Sequence, residues 1–244
     1  KNKMLIICSR NADRAPRLYN TFHTFKDEYD VFLAGDKIPY YLDPKNFIDI
    51  SFKKKLLFPR VIKFFYLLHF SSFFSIKSTD FKYLLKPSSF SVFRKIKDKQ
   101  FDIIILHHID LLPVLSYFKK KRNFKLVVNL HEYYPKEFED QQNWSVMGDY
   151  WGGLCEYFLK NVDYFLSVNK SIGDEFIKTF NLNHQLFFTF PNVKCFENLE
   201  LINNKGNIIS LIHHGAAIPS RNIERMIKMM SFLPENYVLY FMLL

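Results

Sequence analysis

The sequence predicts an α/β protein built around a parallel β-sheet. Short runs rich in branched apolar residues alternate with longer stretches of helical period, which is the order of strand–helix units. The runs at 103–106 and 126–128 are apolar throughout, as in central strands that are covered on both faces. Of the 244 residues, 48% are hydrophobic, enough to bury the core of one large domain or two modest ones.

The apolar runs and the stretches between them give the elements in chain order. Strands are predicted at residues 4–8, 31–34, 47–50, 101–106, 125–130, 164–168 and 186–190. Helices are predicted at residues 60–70, 89–99, 111–121, 149–160 and 170–180. Several of these helical stretches end in lysines, which suit the negative end of a helix.

The pattern changes after Phe190. Pro191-Asn192 and the polar stretch at 197–207 are typical of a linker. A strand at 208–212, a helix at 221–232 and a strand at 237–243 follow. Because so few elements cannot bury their own apolar faces, they are interpreted as the start of a second domain. The predicted organisation is a first domain at 1–190, a linker at 191–206 and a second domain that begins at 207–244.

The positive charge is concentrated in one segment. The net charge is +10, and residues 49–125 hold 17 Lys and Arg against 5 Asp and Glu. Residues 51–99 combine these cations with many phenylalanines, which predicts either a surface that lies on an anionic membrane or an aromatic core behind a solvated basic face. Nucleic acid is not an expected partner, since no RNP-type motif and no zinc-finger spacing occurs.

Cysteine usage and hydropathy indicate a cytoplasmic protein, or one peripheral to the inner face of the membrane. Cys8, Cys155 and Cys195 have neither the pattern of a disulfide framework nor that of a zinc site, so reduced thiols are expected. The apolar run at 64–74 is too short to cross a bilayer. The apolar stretch from Met4 is too short for a secretory signal and runs straight into a polar loop.

Polar residues follow several strands at the edge where parallel sheets bind ligands, the carboxyl ends of the strands. We therefore expect a functional rim there. The candidates are Arg10 and Arg14 after the first strand, His107 and Asp110 after the fourth, and His131 and Glu132 after the fifth. Histidines at strand ends are also common structural residues, so each position has a structural alternative.

The region after the linker adds a pattern that suits phosphate binding. A strand ends at His213-His214-Gly215, and a helix is predicted to begin near Arg221. Gly215 allows close approach of the backbone to a ligand, and the Arg221 guanidinium can bind a diphosphate with two parallel hydrogen bonds. The same arrangement also describes an ordinary strand–helix turn.

Four segments in this order, 102–110, 125–135, 162–175 and 191–192, resemble family 4 glycosyltransferases. Residues 208–212 followed by 215–224 look like the start of the donor-binding domain of that family. The family consists of retaining enzymes of the GT-B fold, with two Rossmann-like domains that face each other across a cleft. The resemblance implies a Rossmann-like parallel sheet flanked by helices, followed by the beginning of a second Rossmann-like domain.

The resemblance also implies an activity, the transfer of a hexose-type sugar from a nucleotide sugar to a glycan or glycolipid acceptor, with no metal or other cofactor. It places His131 beside the transferred sugar, Arg221 at the donor diphosphate and Asn192 at the interdomain hinge. Together with the residues selected by their position after strands, the predicted site is: catalytic, His131 and Glu132; donor-binding, Arg221, Gly215, His214 and Asn192; acceptor-side, Arg10, Arg14, His107 and Asp110.

Two departures from the family leave alternatives open. The loop at 9–17 lacks the glycines usual after the first strand, and the paired glutamates of the family's donor site lie beyond residue 244. The 244 residues alone are therefore not expected to be active. A non-catalytic binding or scaffold module, or another sugar-nucleotide enzyme such as an epimerase, has the same fold class and stays an alternative function.

Overall fold

The computed structural model of the chain describes residues 1–9, 12–51, 81–84, 87–137, 144–193, 198, 206–215, 217–218 and 221–243. The chain packs into two compact units, Lys1–Lys194 and Cys195–Leu244. Much of the predicted linker and the whole predicted helix at 60–70 lie outside the described residues. The predicted domain boundaries and that helix therefore stay predictions.

The first unit contains a seven-stranded parallel sheet, which confirms the predicted α/β fold class. Its strands are β1 (Lys3–Cys8), β2 (Asp30–Gly35), β3 (Phe47–Asp49), β4 (Ile103–His107), β5 (Lys125–Leu130), β6 (Tyr164–Ser167) and β7 (Phe187–Thr189). The spatial order is β3-β2-β1-β4-β5-β6-β7, so the strand order reverses between β1 and β4. In open α/β sheets, ligands bind beside such a reversal, at the carboxyl ends of the strands.

Helices connect these strands. Those described in the first unit are α1 (Pro16–Phe25), α2 (Phe81–Leu84), α3 (Pro87–Ile96), α4 (Leu112–Lys119), α5 (Trp144–Phe158) and α6 (Lys170–Phe180). Helix α6 has the predicted bounds because both of its ends are marked in the sequence. The Asn169 side chain accepts a hydrogen bond from the Ile172 N–H at 2.9 Å, and Asn181 ends the helix in the left-handed conformation (φ 49°).

Helix α1 has no counterpart among the predicted helices. It begins at Pro16, whose fixed φ suits the first helical position and whose missing N–H needs no partner there. Leu18 and Thr21 are buried, and Phe22 and Phe25 pack against the core at helical spacing. The segment after β1 is therefore an amphipathic helix where the sequence suggests a polar loop.

Apolar side chains on the two faces of the sheet form two separate core clusters. Along β1, Leu5 and Ile7 belong to one cluster, while Met4, Ile6 and Cys8 belong to the other, as the alternating directions of strand side chains require. Helices α3 to α6 cover the larger cluster and α1 covers the smaller one. The central strands are thus covered on both faces.

The second unit is small. It contains the parallel strands β8 (Ile209–Gly215) and β9 (Tyr237–Leu243), with α7 (Ile223–Met229) between them in the chain. None of its described residues is buried, and Ile212, Phe232 and Met242 are among its exposed apolar side chains. Two strands and one helix leave much of their apolar surface uncovered, as the sequence predicts.

Within the ranges that the structure describes, no helix has the length and apolarity needed to cross a membrane. The apolar run at 64–74 lies outside those ranges, as does Cys195. Cys8 and Cys155 are buried, and burial raises the pKa of the Cys155 thiol.

Asp163 connects three neighbouring elements of the first unit. Its carboxylate accepts hydrogen bonds from the Leu126 N–H, at 2.7 Å, and from the Lys119 ammonium, and Lys125 Nζ lies 3.7 Å away. Burial alone would raise the pKa of Asp163, but the hydrogen bonds from Lys119 and Leu126 together with the charges of Lys119 and Lys125 outweigh it and lower the pKa. The charged form therefore stabilises the junction of α4, β5 and the start of β6.

We expect Asp163→Asn to lower the free energy of unfolding by about 1–3 kcal/mol at neutral pH, because a partly buried acceptor of charge-assisted hydrogen bonds is lost. A group whose folded pKa is depressed stabilises above its unfolded pKa of about 4, and this contribution disappears as pH falls through the lower folded value. The difference from wild type should therefore shrink in acid. The free energy of unfolding is measured by urea titration, followed by the fluorescence of Trp144 and Trp151, which both belong to the first unit.

The matched control is Glu156→Gln, which removes an exposed ion pair with Lys160 at 3.0 Å. Such pairs contribute about 0.5 kcal/mol or less. Equal effects of the two substitutions, or a loss at Asp163 that persists unchanged in acid, would contradict the assigned role of Asp163.

Candidate functional site

The candidate site lies at the carboxyl ends of β1, β4 and β5. The three strands are parallel and in register, with Cys8 opposite His107 and His107 opposite Asn129. The residues that follow these strands therefore meet at one edge of the sheet. His131 comes two residues after Asn129, which brings it beside His107.

His107 is the last residue of β4 and is buried, so its predicted position in the following loop is wrong by one residue. The strand continues because His107 pairs in register with Cys8 and Asn129. Its Nδ1 lies 3.3 Å from His131 Nε2, and its Nε2 lies 3.3 Å from the Thr21 hydroxyl of α1. His107 thus reaches the edge of the sheet through His131 and has no exposed surface of its own to offer a ligand.

His131 is partly exposed, and its backbone N–H donates to the buried Tyr134 hydroxyl at 3.4 Å. Burial lowers the pKa of His107 to about 4, and the positive charge of Arg17 adds to this effect. Burial also lowers the pKa of His131 to about 3, with further contributions from His107, Arg17 and His108. Both imidazoles are therefore neutral at physiological pH, which suits hydrogen bonding to an uncharged ligand group.

His108 turns the chain sharply after β4. Its φ of 81° is unusual for a residue with a side chain. The ring packs edge-on against Tyr134, with centroids 4.7 Å apart, and against Trp151 at 5.5 Å. His108 Nδ1 lies 3.2 Å from a carboxylate oxygen of Asp110, which is itself buried. The turn therefore packs His108 between two aromatic side chains and brings its ring to Asp110.

Four further candidate residues belong to the first unit. Glu132 is exposed to solvent next to His131. Asn192 follows β7, and its side-chain oxygen accepts a hydrogen bond from the Asn20 amide of α1 at 3.3 Å. Arg10 and the side chain of Arg14 lie outside the described part of the chain. The functional roles of all these residues stay predictions.

Sequence reasoning did not select Arg17 and Thr21, which lie on α1 and act on the histidine pair. Arg17 contributes to the lowered pKa of both histidines, and Thr21 contacts His107 directly. Pro16 and the apolar spacing that follows it are the signals that would have identified the helix. The contact of Thr21 with His107, 86 positions later, has no local signal.

The loop after β1 lacks glycine, but a glycine on the neighbouring strand makes room for it. A Cβ atom at Gly35, the last residue of β2, would lie 2.5 Å from the Ala12 Cβ. The Ala12 N–H also donates to the Asp36 carboxylate at 3.0 Å. Glycine at position 35 therefore allows the loop after β1 to pack directly against the end of β2.

The second unit contains the predicted phosphate-binding residues. Gly215 ends β8 with a φ of 151°, a conformation that side chains disfavour, so glycine is required at this position. His214 and Arg221 are both exposed, and Arg221 lies just before α7. Among the described residues, no group of three or more His, Cys, Asp or Glu is arranged to hold a metal ion. The expectation that no metal takes part stays a prediction.

The model of a known protein family matches this sequence. Residues 58–193, more than half of the chain, match the model of Glycosyltransferase Family 4. The matched region includes the histidine pair and the segment from β4 to β7. No curated protein matches the sequence.

Solved structures share the fold. They include the apo form of the lipopolysaccharide outer core galactosyltransferase WaaB (12% identity over 98% of this chain and 60% of that chain, TM-score 0.55) and HepE of Anabaena in complex with UDP-glucose (13%, 99% and 60%, TM-score 0.57). Sucrose-phosphate synthase from Thermosynechococcus elongatus is also similar (10%, 100% and 71%, TM-score 0.60). The chain spans about 60% of the length of the first two proteins. At these identities the likeness shows the fold.

The strained turn at His108 generates a test. We expect His108→Gly to be more stable than His108→Ala by about 1 kcal/mol, because both variants lose the ring contacts but only alanine keeps the disfavoured positive φ. Urea unfolding of the two variants, followed by tryptophan fluorescence, measures the difference.

The same two substitutions at the exposed His184, in the 3₁₀ turn before β7, provide the control. There the order should reverse, with the alanine variant at least as stable, because the backbone is unstrained and glycine gains more freedom on unfolding. An alanine variant at position 108 that matches or exceeds the glycine variant would show that the turn is not strained.

Proposed function

Because this chain belongs to glycosyltransferase family 4, with the GT-B fold, we propose that it takes part in the transfer of a sugar from a nucleotide-sugar donor to a glycan or lipid-linked acceptor. The observation that carries the proposal is the family match over 58–193, which contains His131. Retention of the anomeric configuration is part of the proposal, as the resemblance to the family implies.

A nucleotide-sugar donor is supported by the similar structures. HepE was solved with UDP-glucose, and WaaB is a galactosyltransferase. In the second unit, the Arg221 guanidinium is exposed and near the backbone of Gly215 in sequence, which suits a diphosphate. Neutralising the charge that develops on the leaving diphosphate is the main electrostatic demand of sugar transfer. Arg221 meets it in this proposal, without a metal.

Cell-surface glycan or glycolipid synthesis, at the inner face of the membrane, is the proposed context. WaaB acts on the lipopolysaccharide outer core, which supports an acceptor of this kind. The charge of residues 51–99 suits an anionic membrane, but helix α3 follows the other interpretation of that segment. Its Phe93 is in the core while Arg94 and Lys95 face solvent. The membrane contact is therefore proposed for residues 52–80, which lie outside the described ranges.

His131 is proposed to contact the transferred sugar. It is the partly exposed member of a neutral histidine pair at the carboxyl edge of the sheet, where α/β proteins bind their ligands. A neutral imidazole offers a directional hydrogen bond to a sugar hydroxyl and needs no counter-ion. Glu132, exposed beside it, is the proposed second catalytic group.

We expect His131→Ala in the full-length protein to lower kcat by about tenfold to a hundredfold, because an oriented contact to the reacting sugar is lost. The free energy of unfolding should fall by about 1–3 kcal/mol, because the buried His107 Nδ1 loses its hydrogen-bond partner, but the variant should still fold. Initial rates against a panel of nucleotide sugars, together with melting temperatures, measure both effects.

The control for His131 is His184→Ala, which removes an exposed histidine from the same unit. This variant should retain wild-type turnover. If the two variants have the same kcat, His131 does not contact the sugar. If the wild-type protein binds the donor but shows no turnover, the alternative of a non-catalytic module is favoured.

We expect Arg221→Ala to weaken donor binding by about tenfold to a hundredfold, the loss that corresponds to a charged hydrogen bond of about 1.5–3 kcal/mol. Isothermal titration calorimetry of the full-length protein with nucleotide sugars measures the dissociation constant. Arg225→Ala, which removes the next arginine of the same unit, is the matched control, since Arg225 is also exposed. Equal affinities of the two variants would remove Arg221 from the donor site.

A further inference from the structure

Four polar groups form a continuous path from helix α1 to His131. Thr21 Oγ1 lies 2.8 Å from the carbonyl oxygen of Arg17 and 3.3 Å from His107 Nε2. His107 Nδ1 lies 3.3 Å from His131 Nε2. Thr21 and His107 are 0% and 2% exposed. Since buried polar atoms are hydrogen-bonded in folded proteins, these contacts determine where the protons lie.

The direction of each hydrogen bond follows from the group at the start of the path. The Arg17 carbonyl can only accept, so the Thr21 hydroxyl donates its single proton to it. Thr21 then has only lone pairs to offer His107. His107 Nε2 must therefore carry a proton and donate it to Thr21 Oγ1.

The same reasoning fixes the next two atoms. Burial and the charge of Arg17 lower the pKa of His107 to about 4, so at neutral pH this ring carries one proton, on Nε2. His107 Nδ1 is then an acceptor, and the proton of the bond to His131 must come from His131 Nε2. His131 is also neutral, because burial and its charged surroundings lower its pKa to about 3. Its second ring nitrogen, Nδ1, carries no proton.

We propose that Thr21 and His107 are positioning residues that hold His131 in the Nε2–H tautomer and leave its Nδ1 as a hydrogen-bond acceptor. Among the described residues, none hydrogen-bonds to His131 Nδ1. Nδ1 is the ring nitrogen that the path leaves unprotonated, and the proposal assigns it to a ligand. The path also holds the ring itself, because Nε2 is directed at His107 while the His131 backbone N–H is directed at Tyr134.

The positioning determines which ligand group His131 recognises, and this step rests on the proposed function. An unprotonated Nδ1 accepts a hydrogen bond from a sugar hydroxyl and cannot donate one. The other tautomer would present a donor instead and would pair with an acceptor such as a carbonyl oxygen. The inferred ligand group at His131 is thus a hydroxyl of the sugar that acts as a donor.

The test uses the imidazole nitrogen resonances, which report the tautomer without any substrate. The protein is labelled with ¹⁵N-histidine, and long-range ¹H–¹⁵N correlation spectra are recorded at neutral pH. His107→Asn and His131→Asn variants assign the two rings among the 8 histidines of the chain. The wild type should show His131 with a protonated Nε2 and an unprotonated Nδ1.

Thr21→Val keeps the shape of the side chain and removes the hydroxyl. His107 then loses the acceptor for its Nε2 proton, so both rings should shift toward a mixture of tautomers. The kcat for sugar transfer should fall by about tenfold, since the contact of His131 is no longer oriented, while KM changes little. Thr21→Ser, which restores a hydroxyl, should recover both the spectrum and kcat.

Thr24→Val is the matched control. Thr24 lies one turn further along α1, and its hydroxyl donates to the Asn20 carbonyl at 2.8 Å, the same local hydrogen bond that Thr21 makes. Unlike Thr21, it is exposed and contacts neither His107 nor His131. Its spectra and kcat should equal those of the wild type. Two results would overturn the proposal. One is a wild-type His131 that carries its proton on Nδ1, which can be observed even if Thr21→Val does not fold. The other is a folded Thr21→Val variant in which the tautomers of both histidines are unchanged.

These outcomes separate this inference from the proposed function. A protein with the expected tautomers but without sugar transfer would retain the positioning path and contradict the glycosyltransferase assignment. A protein with sugar transfer but the opposite tautomer would retain the function and contradict the path.

Discussion

The parallel register of β1, β4 and β5 is the constraint on which the site depends. It aligns Cys8, His107 and Asn129 across the sheet, so the chain leaves three strands at one level. Because His107 is still part of the strand, its ring is enclosed between the sheet and α1. A buried ring must satisfy both of its nitrogens, and here the register brings His131 to Nδ1 while α1 brings Thr21 to Nε2. The sheet therefore specifies the histidine pair.

Burial also decides the chemical character of this edge of the first unit. Desolvation keeps both imidazoles uncharged, and the nearby charge of Arg17 acts in the same direction. The rim thus presents a neutral, oriented hydrogen-bonding group where an exposed histidine would titrate near physiological pH. Such a group can recognise a hydroxyl while leaving charge recognition to cations elsewhere in the chain, of which Arg221 is the proposed example.

Elements whose ends are marked by capping residues or by the limits of an apolar run could be predicted from the sequence. Asn169 and Asn181 mark both ends of α6, and the apolar run of β5 is bounded by Lys125 and His131. Helix α1 could also have been predicted, from Pro16 and the apolar residues that follow, but the polar stretch before Pro16 suggested a loop. His131 could be selected as a candidate from its place after a strand, whereas the support from Thr21 depends on a tertiary contact that no local pattern contains.

The length of its edge strands affects how readily each sheet pairs with a strand of another molecule. The seven-stranded sheet ends on both sides in three-residue strands, β3 and β7, and short edge strands are poor templates for further pairing. The strands β8 and β9 are each seven residues long and expose Ile212, Tyr240 and Met242. Long apolar edges of this kind promote intermolecular strand addition. Aggregation of the isolated chain would therefore begin in the second unit, and solubilising substitutions belong on β8 and β9.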